Sequence, residues 1–179
     1  HVLPAMIRKI HLAKCLNEDD WKAVRRDLDL RPVEGVTGSE SDAGILDKLA
    51  KFGITPESVT LWGTGTPMRE FLWSEEMADA SVHVLLNVDF KDTYVTGSRD
   101  IRNCHINVGT GKEVSIREVA EIIMKEIGFK GILLWDSSKP DGTMRKLTDV
   151  SKLHSLGWHH KVEIDEGIER LYKWYLKGV

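Results

Sequence analysis

Apolar positions along the chain recur mainly at intervals of three and four residues, which is the spacing of amphipathic helices. The clearest case lies near the middle of the sequence. Ser115 and Glu118 form a capping-box pattern ahead of the apolar positions Val119 and Ile123, and Gly128 supplies a stop signal. In all, this spacing predicts helices over residues 4–16, 18–30, 41–52, 74–87, 115–127, 150–156 and 165–176.

Short apolar runs rich in β-branched residues predict a few strands between these helices. They lie at Val59–Trp62, His105–Val108 and Ile132–Trp135, and Glu70–Trp73 is expected to be extended. Strands and helices do not alternate regularly, so the pattern predicts an α+β fold with a small mixed sheet and surrounding helices. In the helix at 74–87 we expect an inward face made of Met77, Ala80, Val84 and Leu85.

Length and charge narrow the class of protein. A chain of 179 residues is expected to form one domain, residues 1–179. A net charge of −3 disfavours nucleic-acid binding by bulk charge, and no apolar run is long enough to predict a membrane span. Cys15 and Cys104 lie far apart, so we expect reduced thiols, no metal site and a cytoplasmic setting.

Residues 17–56 are predicted to form a helical insertion on the surface. Two amphipathic helices are separated by Arg31-Pro32 and a glycine-containing loop. Nothing in the segment predicts catalysis. Its role is either structural or that of a helical module that binds a protein partner.

The stretch with most chemical potential is Trp62–Leu72. A predicted strand enters the turn Gly63-Thr64-Gly65-Thr66-Pro67, and Arg69 follows. Glycines let a ligand approach the backbone closely, and a guanidinium can bind a diphosphate through its planar set of donors. The alternative is an ordinary turn, with Arg69 solvated or paired with Glu70 or Glu75.

A second polar stretch, residues 136–147, is predicted to be a loop. Asp141 could accept hydrogen bonds from ribose or sugar hydroxyls, while Arg145 and Lys146 could add positive charge near a phosphate. The alternative is a charged turn, because Pro140-Asp141-Gly142 is a turn signal by itself.

Three segments together resemble the extended short-chain dehydrogenase/reductase family, in its nucleotide-sugar branch. They are His1–Ala5, Trp62–Leu72 and Ser138–Leu147. The resemblance extends over roughly residues 1–16 and 57–177 and omits 17–56. It implies the substrate-binding, C-terminal part of a longer enzyme whose Rossmann half is largely absent. The glycine-rich dinucleotide fingerprint and the family's Tyr-x-x-x-Lys pair do not occur in the sequence.

The resemblance also implies an activity for the intact enzyme. This activity is NADP(H)-dependent epimerisation and reduction of GDP-4-keto-6-deoxy-mannose, an isomerase and oxidoreductase function in a homodimer. The chain alone is expected to be inactive. The alternatives are another nucleotide-sugar epimerase or dehydratase, and the non-catalytic helical module.

Site residues follow from the same resemblance. His1 corresponds to the histidine near the nicotinamide that acts as the acid in epimerisation, and so counts as both catalytic and cofactor-binding. Trp73 stands where the family usually has His, and Met144 where it usually has Pro, which weakens the match at those points. The implied substrate-binding residues are Lys9, Trp62, Arg69, Asp141, Arg145 and Lys146. The alternatives are a lysine on a solvated helix face for Lys9 and an ordinary core tryptophan at a strand end for Trp62.

Overall fold

The computed structural model of the protein describes residues 2–94, 97 and 100–178, so His1 lies outside the described residues. Helices and short strands are mixed, which confirms the predicted α+β class. In the described part of the chain, no helix is both long and apolar enough to cross a membrane. The elements are α1 (Val2–Asn17), α2 (Trp21–Leu30), α3 (Asp42–Lys51), β1 (Ser58–Trp62), β2 (Met68–Arg69), α4 (Ser74–Asn87), a 3-10 turn (Phe90–Thr93), β3 (Val114–Ser115), α5 (Ile116–Ile127), β4 (Ile132–Asp136), β5 (Arg145–Lys146), α6 (Ser151–Ser155) and α7 (Ile164–Leu176).

The chain divides into two compact units. Unit 1 contains residues 1–67, 115–142 and 168–179, and unit 2 contains 68–114 and 143–167. The seven predicted helices all form within a few residues of their expected ends. The capping box of Ser115 with Glu118 is present, and Gly128 ends α5 in the left-handed conformation, as predicted.

Helix α1 is the centre of unit 1, where it contacts α2, α5 and β1. Its side chains Ile7, Ile10 and Leu12 are almost completely buried. Three neighbouring elements surround α1. Its buried apolar side chains therefore cover more of its circumference than they would on a surface helix, which buries only a single stripe.

The segment 17–56 contributes to the core of unit 1 and does not lie only on its surface. Val24 and Leu28 of α2 and Ile45 of α3 are fully buried. Buried Asp27 in α2 also accepts hydrogen bonds from Arg8 in α1, at 2.8 Å, and from the hydroxyl of Tyr175 in α7. Apolar burial and this polar contact together fix α2 against both helices.

Strands β1 and β4 pair in parallel, which confirms the two predicted strands. Ser58 lies opposite Ile132, and Trp62 lies opposite Asp136. The carboxyl ends of both strands therefore meet at one edge, where the turn after Trp62 and the loop after Asp136 begin. Ligand sites of α/β folds commonly occur at such edges.

Unit 2 contains a parallel pairing of β2 with β5 and a small apolar cluster of Ala80, Leu153 and Trp158. The predicted strand at 105–108 is wrong, because these residues are not in a strand. The alternation that suggested a strand is nevertheless real, since Ile106 and Val108 both pack against the apolar cluster. Residues 70–73, predicted to be extended, lie outside helices and strands, and the short strand β2 lies just before them.

The predicted inward face of α4 is partly wrong. Ala80 is buried, but Met77 is 46% exposed and Leu85 is 80% exposed. Glu76 takes the buried position beside Ala80, because its carboxylate accepts hydrogen bonds from the backbone N–H groups of Lys161 and Val162. The buried face of α4 is therefore shifted by about one residue from the face that the apolar pattern predicts, because Glu76 finds backbone hydrogen-bond partners there.

Candidate functional site

The turn after β1 in unit 1 requires both of its glycines. Gly63 has φ +83° and Gly65 has φ +77°, a region that residues with a side chain rarely adopt. A Cβ at Gly63 would lie 2.3 Å from Oδ1 of Asp141, and one at Gly65 would lie 2.7 Å from the ring of Trp135. The turn therefore packs directly on the loop that follows β4 and on β4 itself.

Asp141 anchors this turn through Thr64. The Thr64 backbone N–H donates to Oδ1 at 2.8 Å, and its hydroxyl donates to Oδ2 at 2.7 Å. The side-chain and backbone hydrogen bonds from Thr64 lower the pKa of Asp141. The carboxylate is therefore ionised at neutral pH, and each oxygen retains a lone pair that could accept from a sugar hydroxyl. The proposed substrate contact of Asp141 stays a prediction.

Trp62 is 71% exposed, so it is not a core residue of unit 1. The ammonium nitrogen of Lys139 lies 5.5 Å from the centre of its ring. A cation over one face of an exposed indole stabilises the ring orientation modestly. This combination presents an aromatic surface with positive charge beside it.

Lys9 on α1 is not on a solvated helix face. It is half-buried, and its ammonium donates to the backbone carbonyl of Thr60 in β1 at 3.1 Å. Burial lowers the pKa of Lys9 from its ordinary value. Its side chain thus lies against the strand that leads into the glycine turn.

Arg117 supports the same turn, and the sequence analysis missed it. Its side chain donates to the Thr64 carbonyl at 2.6 Å, and its backbone N–H donates to the Gly65 carbonyl at 2.9 Å. The guanidinium also lies 4.6 Å from the centre of the Trp135 ring. A single arginine in the first turn of a helix carries no sequence signal of such a contact.

In unit 2, parallel pairing brings Arg69 of β2 opposite Lys146 of β5. Arg69 is half-buried, and Nη1 donates to the carbonyl of the preceding residue, Met68, at 2.6 Å. Within the described ranges, no carboxylate pairs with Arg69, so neither predicted alternative pairing, with Glu70 or with Glu75, forms. Two cations thus lie side by side in one short strand pair.

Arg145, the third cation of this strand pair, has a carboxylate partner. Its Nε donates to Glu113 at 2.8 Å, and Nη2 lies 2.7 Å from the other oxygen of the same carboxylate. This contact raises the pKa of Arg145. A ligand phosphate would have to compete with Glu113 for this guanidinium, so its proposed role depends on that exchange.

Glu70 is a further residue of unit 2 whose role the sequence did not predict. Its carboxylate accepts hydrogen bonds from the backbone N–H groups of Thr110, Gly111 and Thr148, at 2.6, 2.7 and 3.1 Å. The spacing of these residues along the chain gives no sign that they meet.

Histidines form a separate cluster in unit 2. The rings of His154 and His159 stack with their centres 4.2 Å apart, and the side chain of His160 is only 8% exposed. Burial, then the proximity of His159 and His160, lowers the pKa of His154. Across the described residues, no group of three or more His, Cys, Asp or Glu side chains is arranged to hold a metal ion.

The chain is similar to a known class of protein. Residues 28–109 match the NAD dependent epimerase/dehydratase family. The chain is 36% identical to the GDP-L-fucose synthase of Escherichia coli K12 over 99% of its length and 43% of that protein. It is 40% identical to GDP-L-fucose synthase 1 of Arabidopsis thaliana over its whole length and 40% of that protein.

A solved structure agrees with these relatives. The GDP-D-glycero-L-gluco-heptose synthase of Campylobacter jejuni, crystallised with NADPH, is 40% identical, with a TM-score of 0.84 over 99% of this chain and 46% of that one. The chain is therefore homologous to nucleotide-sugar enzymes of the extended short-chain dehydrogenase/reductase family, and the predicted resemblance is confirmed. It spans about 40% of the length of the curated relatives, and the match includes residues 17–56.

Proposed function

We propose that the chain is the substrate-binding portion of an NADP-dependent epimerase/reductase that converts GDP-4-keto-6-deoxy-mannose to GDP-L-fucose. The observation that carries this proposal is a half-buried arginine, Arg69, that has no carboxylate partner among the described residues and lies opposite Lys146. Relatives named as GDP-L-fucose synthases support the choice of a GDP-sugar.

Arg69 and Lys146 would bind the diphosphate. A guanidinium matches two phosphate oxygens at once, and a neighbouring ammonium adds charge without demanding a fixed direction. Because Arg69 donates only to a neutral carbonyl, binding a phosphate breaks no ion pair. Such a site needs no overall positive charge, which agrees with the net charge of −3.

In unit 1, three residues are each proposed as substrate contacts on their own chemistry. The exposed ring of Trp62 offers an apolar face for a deoxy sugar or a surface for stacking a base. Asp141 would accept from hydroxyl groups. Lys9, which lies against β1, would add a cation in that region.

The reaction itself would need the remainder of the enzyme. NADP(H), when bound, supplies the hydride for reduction. His1 would act as the acid in epimerisation, since a histidine titrates near neutral pH. The intact enzyme would be a homodimer in the cytoplasm.

A GDP-heptose is the second candidate substrate. The Campylobacter jejuni heptose synthase matches this chain as well as the fucose synthases do, at 40% identity over 99% of the chain. Both substrates carry the GDP group, so the diphosphate site would be the same. The sugar would distinguish them, through the surface around Trp62.

The test is the variant Arg69→Ala in the full-length enzyme, with calorimetric titration of GDP and the KM for the GDP-sugar as measurements. A charge-assisted hydrogen bond contributes about 1.5–3 kcal/mol, so the affinity for GDP should fall about tenfold or more. Arg69→Lys should recover only part of it, because an ammonium lacks the planar pair of donors.

Arg102→Ala is the matched control, because Arg102 lies in the same unit, is exposed and pairs with Asp100. It should leave GDP binding unchanged. UDP should compete poorly with GDP. The substrate will be identified by comparing the turnover of the GDP-linked 4-keto-6-deoxy sugar with that of a GDP-linked 4-keto heptose. Equal GDP affinity in wild type and Arg69→Ala would refute the proposal.

A further inference from the structure

We infer that Glu70 is a positioning residue that holds Arg69 beside Lys146 for diphosphate binding. The inference rests on the proposed function and adds a residue that no comparison assigns. Glu70 follows Arg69 directly, yet its side chain makes no contact with the guanidinium. Its carboxylate instead joins three separate stretches of unit 2, at residues 70, 109–111 and 148.

The strand pair that carries the two cations is very short. β2 and β5 pair at only two positions, Met68 with Arg145 and Arg69 with Lys146. β2 also pairs with β3 on its other side, but each of the three strands is only two residues long, so the sheet holds few backbone hydrogen bonds. Contacts beyond the strand pairing therefore help to fix the register, and with it the spacing of the two cations.

Glu70 provides such a contact just beyond the last paired position. Its Oε2 accepts from the backbone N–H of Thr148 at 3.1 Å, two residues after Lys146. The carboxylate thus continues the connection between the two strands where the backbone pairing ends. A shift of β5 along β2 would break this hydrogen bond.

The other carboxylate oxygen fixes the loop Gly109-Thr110-Gly111. Oε1 accepts from the N–H groups of Thr110 and Gly111 at 2.6 and 2.7 Å. A Cβ at Gly109 would lie 2.4 Å from this oxygen, so the carboxylate occupies the space that the glycine leaves. Consecutive N–H groups that converge on one anion resemble the backbone nests that bind phosphate.

Glu70 is ionised in this setting. Burial raises the pKa of Glu70, but the hydrogen bonds from Thr148, Gly111 and Thr110 outweigh it, and the net shift is downward. The hydrogen-bonded carboxylate therefore persists at neutral pH. An uncharged amide at this position would turn an N–H₂ group toward backbone donors and lose at least one of the contacts.

The test is Glu70→Gln in the full-length enzyme, alone and combined with Arg69→Ala, with GDP titration and steady-state kinetics. Glu70→Gln should weaken GDP binding and raise KM about five- to tenfold while kcat changes little, because ground-state binding is lost. In the double variant it should add clearly less to Arg69→Ala than it costs alone, since much of its effect is the placement of Arg69.

Gly109→Ala provides a second route to the same perturbation if Glu70→Gln folds poorly, because it displaces the carboxylate and leaves Glu70 in place. It should weaken GDP binding in the same direction. Glu75→Gln, an exposed glutamate of the same unit, should leave binding unchanged.

Two outcomes overturn the inference. One is unchanged GDP binding in both Glu70→Gln and Gly109→Ala while Arg69→Ala loses affinity. The other is full additivity in the double variant, which would mean a general structural role. If Arg69→Ala itself leaves GDP binding intact, the proposed function fails instead, so the two failures can be told apart.

Discussion

Gly65→Ala perturbs the turn after β1 where it packs on the Trp135 ring. The new methyl group would destabilise the folded turn in two separate ways. Gly65 has φ +77°, and the added Cβ would lie 2.7 Å from the Trp135 ring. That ring cannot move away freely, because the guanidinium of Arg117 lies over it and Arg117 also binds the Gly65 carbonyl.

Gly35→Ala separates the two costs. Gly35 lies in the same unit with φ +85°, and no atom lies within 4 Å of the position that a Cβ would take. Left-handed backbone in a residue with a Cβ costs about 1–2 kcal/mol, and both variants share this loss. Overpacking against Trp135 adds about 1–3 kcal/mol at Gly65 alone.

The difference in stability between the two variants is measured by urea unfolding of the full-length protein, monitored through hydrogen exchange of peptides from β1 and β4. We expect the stability of unit 1 to fall by about 2–5 kcal/mol in Gly65→Ala and by about 1–2 kcal/mol in Gly35→Ala. GDP affinity should fall only in Gly65→Ala. An equal loss of stability in the two variants would show that the turn does not pack on Trp135 and would refute the reasoning.

Two further predictions concern the stability of each unit. Leu28→Ala should destabilise unit 1 by about 2–4 kcal/mol, because Leu28 is fully buried. Leu30→Ala, on the same helix at 50% exposure, should destabilise it by less than about 1 kcal/mol. Similar urea midpoints for the two variants would contradict burial of the 17–56 segment. Unit 2 should lose stability as the pH falls below about 6.5, because the folded state lowers the pKa of His154 and the unfolded chain takes up the proton first. His154→Asn should reduce this acid sensitivity in melting experiments and exposed His105→Gln should not, and equal pH dependence in both variants would count against the stacked pair as its cause.

Local signals were sufficient for most elements of secondary structure. Helix α5 was predicted from its capping box and its stop glycine because those interactions lie within a few residues of each other. Apolar spacing likewise located β1 and β4. The failures at 105–108 and on α4 have one cause, since a packing partner far along the chain decides whether an alternating run pairs as a strand and which helix face is buried.

The candidate site shows the same division. The sequence marked Trp62, Arg69 and Asp141 as chemically suitable, and a family resemblance gave them roles that still await the binding experiments. It could not show that Asp141 holds Thr64, or that Glu70 joins residues 40 and 78 positions away.

The sequence by itself therefore determined the class of fold, the helices, the strands β1 and β4, and the resemblance to a family. Those properties depend on apolar periodicity, on caps and on short segments whose meaning is local. Only the tertiary structure decided that Arg69 has no carboxylate partner in the described chain while Arg145 has one, and that 17–56 belongs to the core of unit 1. Charge pairing and burial depend on which distant segments meet, and the order of residues along the chain does not state that directly.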